Sequence, residues 1–402
     1  MNKSNNTASP LLAIACGGTG GHFFPGQSVA DTASEAGWRT LLFLSDKEID
    51  QSRLKEAANH RCKSVPAVGW NRRRPLGFFW QLARSIVAAR RQFKVDRPSA
   101  FLTMGGFTGY GPALAARSLG IPCYTHESNA VMGRANRYVK PFARRVFVGF
   151  QESIPHSNGD AFQFTGTPVR KDITGRDRLA ARHALGLNAD VLTLLVMGGS
   201  QGAQAINQAM IEAAGVLSSD FPSLQVIHLT GIEGHKEVRE RLSQSGLRSV
   251  VMDFCHDMGT VLAAADLVVS RSGGSSLAEF AALKLPSVLC PYPYAIDNHQ
   301  LANARIFARA GGGMLIEQSQ MSGASLAKAV ASYLKDPPLM AKTRQALATI
   351  HQPRAAEDVF ESMARGQTSA CASHAEVEEQ SVSESITGSD FLPYANHSEG
   401  GQ

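Results

Sequence analysis

Two apolar runs, each followed at once by a glycine-rich turn, constrain the fold of this chain more than any other feature. The first run, 11–16, leads into Gly17–His22, and the second run, 191–197, leads into Gly198–Gly202. Each pattern is typical of a buried strand, a tight turn and the start of a helix. Backbone N–H groups at such a helix start can bind a phosphate or a closely approaching sugar. Since the turns lie about half a chain apart, they predict two similar α/β halves that face one cleft.

Strand-like and helix-like segments alternate in both halves of the chain. Residues 24–36 and 112–118 have helical character, and short apolar runs lie before and after them. This βαβ rhythm predicts parallel, doubly wound sheets in two Rossmann-like domains. The predicted strands are 40–44, 100–103, 122–125 and 146–148 in the first half, and 225–229, 249–251, 267–270 and 287–290 in the second.

A short linker and a change in composition divide the chain into three parts. Gly166-Thr167-Pro168 separates the two βαβ series, which predicts domains over 1–167 and 168–365. Residues 366–402 are rich in Ser, Glu, Ala, Gly and Thr without sustained periodicity, so we expect a disordered tail. The alternative for this last segment is a poorly patterned terminal helix.

Composition and charge restrict the class of protein. The 402 residues suffice for two domains, and a content of 44% hydrophobic and 18% charged residues is ordinary for a soluble globular protein. The net charge of +6 favours an anionic partner. We expect no signal peptide in the polar residues 1–10, and no stretch has the ~20 apolar residues of a transmembrane helix. The six cysteines form no CxxC pair, which favours reduced thiols in the cytosol over a zinc site or disulfides.

His22 and Ser200 are the side chains of the two turns that are best suited to chemistry. A histidine at a helix N-terminus is favoured in its neutral form by the helix dipole and can accept a proton from a substrate hydroxyl. Its alternative role is a structural cap or a packed imidazole. Ser200, which precedes Gln201, can offer its hydroxyl and backbone N–H to a diphosphate, and it can also cap the following helix.

Two later segments place polar groups at predicted strand-to-helix junctions. In Arg271–Glu279, the carboxylate of Glu279 comes about one helical turn after small residues and can accept two hydrogen bonds from a ribose diol. The alternative is a capping box, because Ser276 and Glu279 have its spacing. Residues 291–304 run from a proline-rich loop into a dense polar group that suits sugar hydroxyls, or into an ordinary solvated helix start.

The segment Arg72–Arg91 combines six arginines with large apolar residues between the basic clusters. This pattern is typical of an interfacial amphipathic segment, in which aromatic side chains enter the lipid headgroup region and arginines bind anionic lipid. The segment is too polar to span a bilayer. A core helix with a basic solvent face is the alternative, and the two descriptions can apply to different residues.

Taken together, these motifs resemble the MurG family of N-acetylglucosamine transferases, from about Leu11 to Arg365. The chain departs from the family at Ser128, where glutamine is frequent, and at Gly274, where alanine is frequent. His299 stands where some members carry a second glutamine. The motifs that recur in order are Gly17–Gly26, Gly105–Phe107, His126–Asn129, Gly166–Arg170, Gly198–Gly202, Arg271–Gly273 with Glu279, and Asp297–Gln300 with Asn303-Ala304.

The resemblance implies a GT-B fold in which the C-terminal domain holds UDP-N-acetylglucosamine (UDP-GlcNAc) and the N-terminal domain meets a membrane-borne acceptor, lipid I. We also expect the last helix to pack back on the N-terminal domain. The implied donor residues are Ser200, Gln201 and Gly202 for the diphosphate, Phe254 and Cys255 for uracil, Glu279 for ribose, Gln300 for the GlcNAc hydroxyls, and Arg170 and Asn129 near the domain junction. The implied acceptor side comprises Thr19, Gly20, Gly21, His22, Tyr110, His126 and Glu127.

The implied reaction is inverting transfer of GlcNAc to the C4 hydroxyl of N-acetylmuramate in lipid I, which gives lipid II for peptidoglycan synthesis. His22 is the first candidate for the base and Glu127 the second. Turn N–H groups can bear the diphosphate charge, so we expect neither a metal nor a cofactor. We expect peripheral binding to the cytoplasmic face of the inner membrane. Proteins of cell-wall synthesis and division are further candidate partners, and nucleic acid is not.

Two other functions stay open at this point. One is a different GT-B enzyme, such as a UDP-sugar 2-epimerase or a transferase with a soluble acceptor, although the basic segment Arg72–Arg91 argues against a soluble acceptor. The other is a non-catalytic nucleotide-sugar-binding scaffold at the membrane. The presence of His22, Glu127, Glu279 and Gln300 argues against lost catalysis.

Overall fold

The computed structural model describes residues 9–46, 57, 59–66, 75–157, 159–199 and 202–366. One compact unit, Met1–Phe360, contains both β-sheets, and Glu361–Gln402 form a second unit, of which 361–366 are described and helical. Three sets of residues singled out from the sequence lie outside the described residues. They are 72–74, Ser200 with Gln201, and the tail from 367 onwards.

The first sheet consists of β1 (Leu11–Ala15), β2 (Arg39–Ser45), β3 (Arg61–Val65), β4 (Ala100–Thr103), β5 (Cys123–Glu127), β6 (Arg145–Val148) and β7 (Phe162–Phe164). The strands are parallel, in the order β3-β2-β1-β4-β5-β6-β7. At the centre, Leu12 of β1 pairs with Thr40 of β2 and Ala100 of β4. β1 is apolar and buried throughout, as expected for a parallel strand covered on both faces.

The helices described in this half are α1 (Gly20–Glu35), α2 (Pro75–Val95), α3 (Phe107–Ser118) and α4 (Arg134–Val139). α1 begins at Gly20, four residues before the predicted start, with Thr19 as its N-cap. α2 packs closely on α3, because a Cβ on Gly111 would lie only 2.3 Å from the Ser85 hydroxyl. A small residue at this crossing lets the two helix backbones approach each other.

The second sheet consists of β8 (Thr193–Met197), β9 (Gln225–Leu229), β10 (Arg248–Met252), β11 (Leu267–Ser270), β12 (Ser287–Leu289) and β13 (Gly313–Leu315). The strands are parallel, in the order β10-β9-β8-β11-β12-β13, which repeats the order of the first six strands. The prediction of two doubly wound Rossmann-like sheets is therefore confirmed. The helices are α5 (Lys171–Thr174), α6 (Arg178–Ala184), α7 (Gln204–Asp220), α8 (His235–Gln244), α9 (Met258–Ala264), α10 (Gly274–Ala282), α11 (His299–Arg309), α12 (Gly323–Leu334), α13 (Pro337–Ile350) and α14 (355–366).

The packing of α2 separates its side chains into two faces. The buried face packs on the first sheet and on α3, whereas the opposite face carries large apolar side chains in solvent. The buried residues are Phe78, Ser85, Ala89 and Phe93, and the exposed ones include Phe79, Trp80 and Val87, at 60%, 67% and 47% of full exposure. Among the described residues, no helix has both the length and the apolar character that a membrane span requires.

The chain passes between the two halves at two places, a first crossing near Gly166 and a second crossing near Gln352. At the first, Gly166 has a φ of +76°, and a Cβ on it would lie 2.4 Å from Cβ of Gln352, which belongs to the second crossing. Only glycine fits this left-handed and crowded position without strain. Beyond the second crossing, the ring of Phe360 meets the ring of Trp38 edge to face, with centroids 5.3 Å apart. The domain bounds at 167 and 365 stay a prediction.

Candidate active site

The predicted site residues follow the carboxyl ends of strands in both sheets, the edge at which doubly wound sheets bind ligands. The segments that meet this description are Gly17–His22 after β1, Gly105-Gly106 after β4, His126–Asn129 at the end of β5, Gly198–Gly202 after β8, Arg271–Gly274 after β11 and the loop before α11. The hydroxyl of Ser275 in α10 donates a hydrogen bond of 2.9 Å to the carbonyl of Gly21 in α1. The two sheet edges therefore face each other across one cleft.

His22 is the third residue of α1, and its ring lies against the turn between β4 and α3. Its Nδ1 is 3.2 Å from Oγ1 of Thr19. Gly105 and Gly106 have φ of +97° and +71°, and a Cβ on either would come within 3.2 to 3.3 Å of the imidazole. The two glycines thus make room for a ring that stays partly exposed. Since His22 lies inside the helix, the alternative of a structural cap does not apply.

The carboxylate of Glu127 is buried and accepts four hydrogen bonds. Oε1 accepts from the backbone N–H and the side-chain amide of Asn129, both at 3.0 Å. Oε2 accepts from the backbone N–H of Gly133 at 2.8 Å and from the amide of Asn136 at 2.9 Å. These donors occupy the acceptor positions of a carboxylate. Glu127 therefore orders the loop after β5, and this geometry favours His22 as the group that meets a substrate proton.

Glu127→Gln is expected to destabilise the fold without abolishing proton transfer. The new NH₂ group would face N–H donors, and a buried polar group left unsatisfied costs ~1–3 kcal/mol. Denaturant unfolding at pH 7 should show a loss of this size, while kcat per folded molecule stays within ~10-fold of wild type. The matched control is Glu152→Gln, because Glu152 is exposed after β6. A fully stable Glu127→Gln variant with a much larger loss of kcat would make Glu127 the base.

His126 connects the end of β5 to the first crossing. Its Nε2 lies 3.0 Å from the carbonyl of Gly166, and its Nδ1 lies 3.4 Å from Oγ of Ser128. Complete burial lowers the pKa of His126, so the ring is neutral at pH 7. A neutral ring donates from Nε2 and accepts at Nδ1, which matches both partners. His126 is thus a positioning group rather than a proton carrier.

Asn303, which is completely buried in α11, joins the two halves. Its Oδ1 accepts from the backbone N–H of Ala130 at 2.8 Å. Its amide donates to Oδ1 of Asn129 and to the carbonyl of Ser272, both at 3.0 Å. Because Asn129 also donates to Glu127, a chain of hydrogen bonds runs from β5 of the first half to α11 of the second.

Gly274, the first residue of α10, touches the backbone of the first half. A Cβ on Gly274 would lie 2.0 Å from the carbonyl oxygen of Ser128. Ser128 and Gly274 are two of the positions at which the sequence departs from the family pattern, and here they meet. Glycine at 274 lets the two halves approach this closely.

Glu279 and Arg170 lie close together, and each has polar side-chain atoms that no described residue meets with a hydrogen bond. Burial raises the pKa of Glu279 to about 7, although the charge of Arg170 opposes the shift. Within the described residues, the Glu279 carboxylate has no hydrogen-bond partner, and Nε of Arg170 is buried without one. The Arg170 guanidinium also stacks 3.8 Å from the ring centroid of Phe24. This pair suits a ligand that brings hydroxyl donors and an acceptor.

The capping box proposed as an alternative for Glu279 does not form. α10 begins at Gly274 with Gly273 as its N-cap, so Ser276 lies inside the helix. The ligand-binding role of this glutamate stays a prediction.

Hydrogen bonds fix both ends of the loop before α11, at Cys290-Pro291-Tyr292 and at Gln300. Oε1 of Gln300 accepts from the backbone N–H of Tyr292 at 2.9 Å, and the hydroxyl of Ser272 donates to the carbonyl of Gln300 at 2.8 Å. Arg271 donates to the carbonyl of Cys290 at 3.0 Å. Since the amide oxygen of Gln300 is engaged by the protein, its NH₂ group is the part available to a sugar.

The remaining residues that the resemblance assigns to the donor follow β8 and β10 in the chain. Phe254 is 50% exposed and meets the ring of His256 at 4.8 Å. Burial raises the pKa of the Cys255 thiol, which keeps it protonated at pH 7. Gly202 has a φ of +75°, and a Cβ there would lie 2.2 Å from the carbonyl oxygen of Thr230. On the acceptor side, the partly buried Tyr110 contacts the ring of Tyr138 at 5.7 Å.

An ion-pair cluster between the halves is not apparent from the sequence. Asp297, in the loop before α11, lies 2.8 Å from Arg137 and 3.6 Å from Arg134, both in α4. No sequence pattern links residues that are so far apart in the chain. The role of Asn303 was also missed, although an asparagine within the largely apolar run 301–308 signalled a buried polar contact.

Comparison with known proteins gives consistent results along the chain. The models of the glycosyltransferase family 28 N-terminal and C-terminal domains match residues 12–148 and 193–359. The UDP-N-acetylglucosamine--N-acetylmuramyl-(pentapeptide) pyrophosphoryl-undecaprenol N-acetylglucosamine transferase of Desulforamulus reducens is 35% identical over 358 residues, which cover 86% of this chain and 96% of that protein. The protein of the same name from Synechococcus elongatus is 37% identical over 333 residues, covering 82% and 89%.

Solved structures share the two-domain architecture. The crystal structure of Acinetobacter baumannii MurG has a TM-score of 0.69 at 24% identity and covers 89% of this chain and 99% of that chain. UDP-GlcNAc 2-epimerase from Neisseria meningitidis, bound to UDP-GlcNAc, has a TM-score of 0.64 at 13% identity and covers 89% and 100%. These similarities confirm the GT-B fold. Because relatives at 35% identity match over nearly their whole length and both domain models match in order, the chain belongs to glycosyltransferase family 28.

Proposed function

We propose that the protein transfers N-acetylglucosamine from UDP-GlcNAc to the C4 hydroxyl of N-acetylmuramate in lipid I, giving lipid II for peptidoglycan synthesis. The observation that carries the proposal is the contact of Ser275 with Gly21, which joins the starts of α10 and α1. This contact supports the proposal because α10 carries Glu279 and α1 carries His22. The names of the relatives supply the two substrates.

The transfer is an inverting displacement at C1 of the donor sugar. The acceptor oxygen forms its bond to C1 as the bond between C1 and the diphosphate oxygen breaks, and UDP leaves with the electron pair. The imidazole of His22 takes the proton of the attacking hydroxyl. No covalent enzyme intermediate is needed, as in inverting glycoside hydrolysis. His22 is preferred to Glu127 because four N–H donors occupy the Glu127 carboxylate.

We assign the donor to the second half, residues 168–365. Backbone N–H groups at a helix start favour the diphosphate, and the unpartnered carboxylate of Glu279 suits the ribose diol. In this assignment Ser200, Gln201 and Gly202 bind the diphosphate, Phe254 and Cys255 the uracil, Glu279 the ribose and Gln300 the GlcNAc hydroxyls, with Arg170 beside Glu279.

We assign the acceptor to the first half, residues 1–167. Thr19, Gly20 and Gly21 form the start of α1 beside His22, and Tyr110 lies one turn into α3. His126 and Asn129 act as positioning groups, because the protein itself satisfies their polar atoms.

Transfer from labelled UDP-GlcNAc to a lipid I analogue tests the reaction, with and without EDTA. We expect disaccharide lipid and UDP in equal amounts, and no effect of EDTA, because backbone N–H groups can bear the diphosphate charge. Epimerisation of UDP-GlcNAc without transfer would instead support a 2-epimerase, the activity named for a structural neighbour. Donor binding with neither reaction would support a scaffold.

We propose that the exposed face of α2 binds the cytoplasmic face of the inner membrane. The exposed side chains Phe79, Trp80 and Val87 lie on the same helix as the exposed Arg84 and Arg91. Apolar side chains that enter the headgroup region, flanked by arginines on anionic lipid, are typical of interfacial helices. Contacts with proteins of cell-wall synthesis and division stay a prediction.

The double substitution Phe79→Ser and Trp80→Ser is expected to weaken binding to phosphatidylglycerol-containing vesicles by ~100- to 10,000-fold, because each of the two large apolar side chains contributes ~1.5–3 kcal/mol when it leaves water. Vesicle sedimentation measures the effect, and UDP-GlcNAc affinity in solution should not change. Val216→Ser is the matched control, because Val216 is 53% exposed in the other half. Equal vesicle binding of the double variant and wild type would argue against this surface.

A further inference from the structure

Asp297 and Asn298 adopt an unusual backbone conformation directly before α11. Their φ values are +51° and +54°, in the left-handed region that residues with a Cβ rarely occupy. Among the described residues, Lys284 is the other non-glycine residue with positive φ. Such conformations persist when surrounding contacts hold them, and they concentrate at ligand sites and moving segments. The contacts that hold this pair therefore bear on function.

The contacts come from the opposite half of the molecule. The Asp297 carboxylate lies 2.8 Å from the Arg137 guanidinium and 3.6 Å from that of Arg134, both on α4. The three side chains are between 30% and 53% exposed, so dissolved salt screens their attraction. These ion pairs thus hold the strained loop against α4 of the other half.

The same loop is coupled to Gln300. The backbone N–H of Tyr292 orients the Gln300 amide, and the backbone N–H of Asn298 closes the loop on the carbonyl of Ala295 at 2.8 Å. His299, between Asn298 and Gln300, holds the carbonyl of Ile296 through Nδ1 at 2.8 Å. A shift of Asp297 therefore moves a closed loop whose other end positions the Gln300 NH₂ group.

We propose that Asp297 is a positioning residue for the donor sugar. Its ion pairs with α4 hold the loop 292–298 so that Gln300 meets the GlcNAc moiety, which makes sugar recognition depend on the approach of the acceptor half. The diphosphate and uracil residues lie on other loops and are independent of this contact. The inference rests on the proposed function, because the role of Gln300 belongs to it.

Asp297→Asn tests the proposal by comparing UDP-GlcNAc with UDP, which lacks the sugar. Calorimetry should show UDP-GlcNAc affinity about three- to fivefold weaker, as for loss of one exposed ion pair, with UDP affinity unchanged. In transfer assays, KM for the donor should rise while kcat changes little. Raising NaCl from about 20 to about 300 mM should raise the wild-type KM by a larger factor than that of the variant, because screening of the diphosphate affects both proteins but screening of the Asp297 ion pairs affects only the wild type.

Two further variants separate positioning from general structure. The charge exchange Asp297→Arg with Arg137→Asp should restore most of the lost affinity. Glu317→Gln is the matched control, because it breaks the exposed ion pair between Glu317 and Arg305 of α11 (3.1 Å), which lies within one half. It should change neither KM nor its salt dependence.

The outcomes distinguish this proposal from the reaction itself. Equal weakening of UDP and UDP-GlcNAc, or a wild-type salt response in Asp297→Asn, would overturn the positioning role. A wild-type protein that binds UDP-GlcNAc but transfers nothing would overturn the proposed function, while the comparison of the two ligands would still decide the role of Asp297.

Discussion

Replacing His22 by alanine is expected to lower kcat by ~10²- to 10⁴-fold and to leave UDP-GlcNAc affinity unchanged. The reason is that His22 lies in the half to which we assign the acceptor, whereas the groups assigned to the donor lie in the other half. The ring is partly exposed in a space made by Gly105 and Gly106, so we expect the fold to tolerate its removal. Single-turnover transfer and calorimetry with the donor measure the two quantities separately.

Two variants control the His22 experiment. Thr19→Val removes the hydroxyl that lies 3.2 Å from Nδ1 of His22. We expect kcat to fall by only about 10-fold, because the imidazole loses an orienting contact but is still present as the base. His183→Ala removes an exposed histidine from α6 and should have no effect. Retention of more than a tenth of kcat by His22→Ala, with an unchanged melting temperature, would place the base elsewhere.

Glu279→Gln is expected to stabilise the folded protein at pH 8 while it weakens donor binding. Burial raises the pKa of Glu279 from its usual 4.5 to about 7. Between these pH values the folded state binds more protons than the unfolded state, so the contribution of this group to stability falls as the pH rises through the window. Above pH 7 the charged carboxylate costs the fold ~2–3 kcal/mol, and the neutral amide removes this cost. Denaturant unfolding at pH 5 and pH 8 measures the change in slope.

The same substitution is expected to raise KM for UDP-GlcNAc by ~10- to 100-fold, because hydrogen bonds to a charged group contribute ~1.5–3 kcal/mol. Wild-type donor affinity should fall as the pH drops below about 7, where the carboxylate is protonated, and the variant should lose this dependence. Glu233→Gln, at an exposed position of the same half, controls for the loss of one charge. An unchanged pH profile of both stability and affinity in Glu279→Gln would contradict this account.

Much of the fold was predictable because parallel strands buried on both faces are continuous apolar runs. β4, β9 and β11 match the predicted ranges, and the other predicted strands lie within two residues of those observed. β3 was missed, since Arg-Cys-Lys-Ser-Val at the edge of the sheet has mostly exposed side chains and no apolar run. β7 and β13, also at sheet edges, have three residues each, which is too short for a periodic pattern.

The site was predictable to the level of its segments but not of its individual contacts. Glycine-rich turns after strands place their neighbours at the carboxyl edge, so local pattern alone made His22 and Glu279 candidates. The sequence left Glu127 open as a second base, because the four donors around its carboxylate come together only when the loop 129–136 folds back on β5.

By itself, then, the sequence determined the two doubly wound halves, the cleft between their carboxyl edges and the segments that line it, since these follow from short-range patterns of apolar residues and glycine. Only the tertiary structure decided which polar atoms the protein itself engages. It engaged Glu127 and His126, left the Glu279 carboxylate without a hydrogen-bond partner among the described residues, and joined the halves through Asn303 and the Asp297–Arg137 pair. The physical reason is that these contacts exist only in the folded chain. The donors to Glu127 converge when the loop 129–136 folds back on β5, and the contacts of Asn303 join residues more than 100 positions apart, so no local pattern records either arrangement.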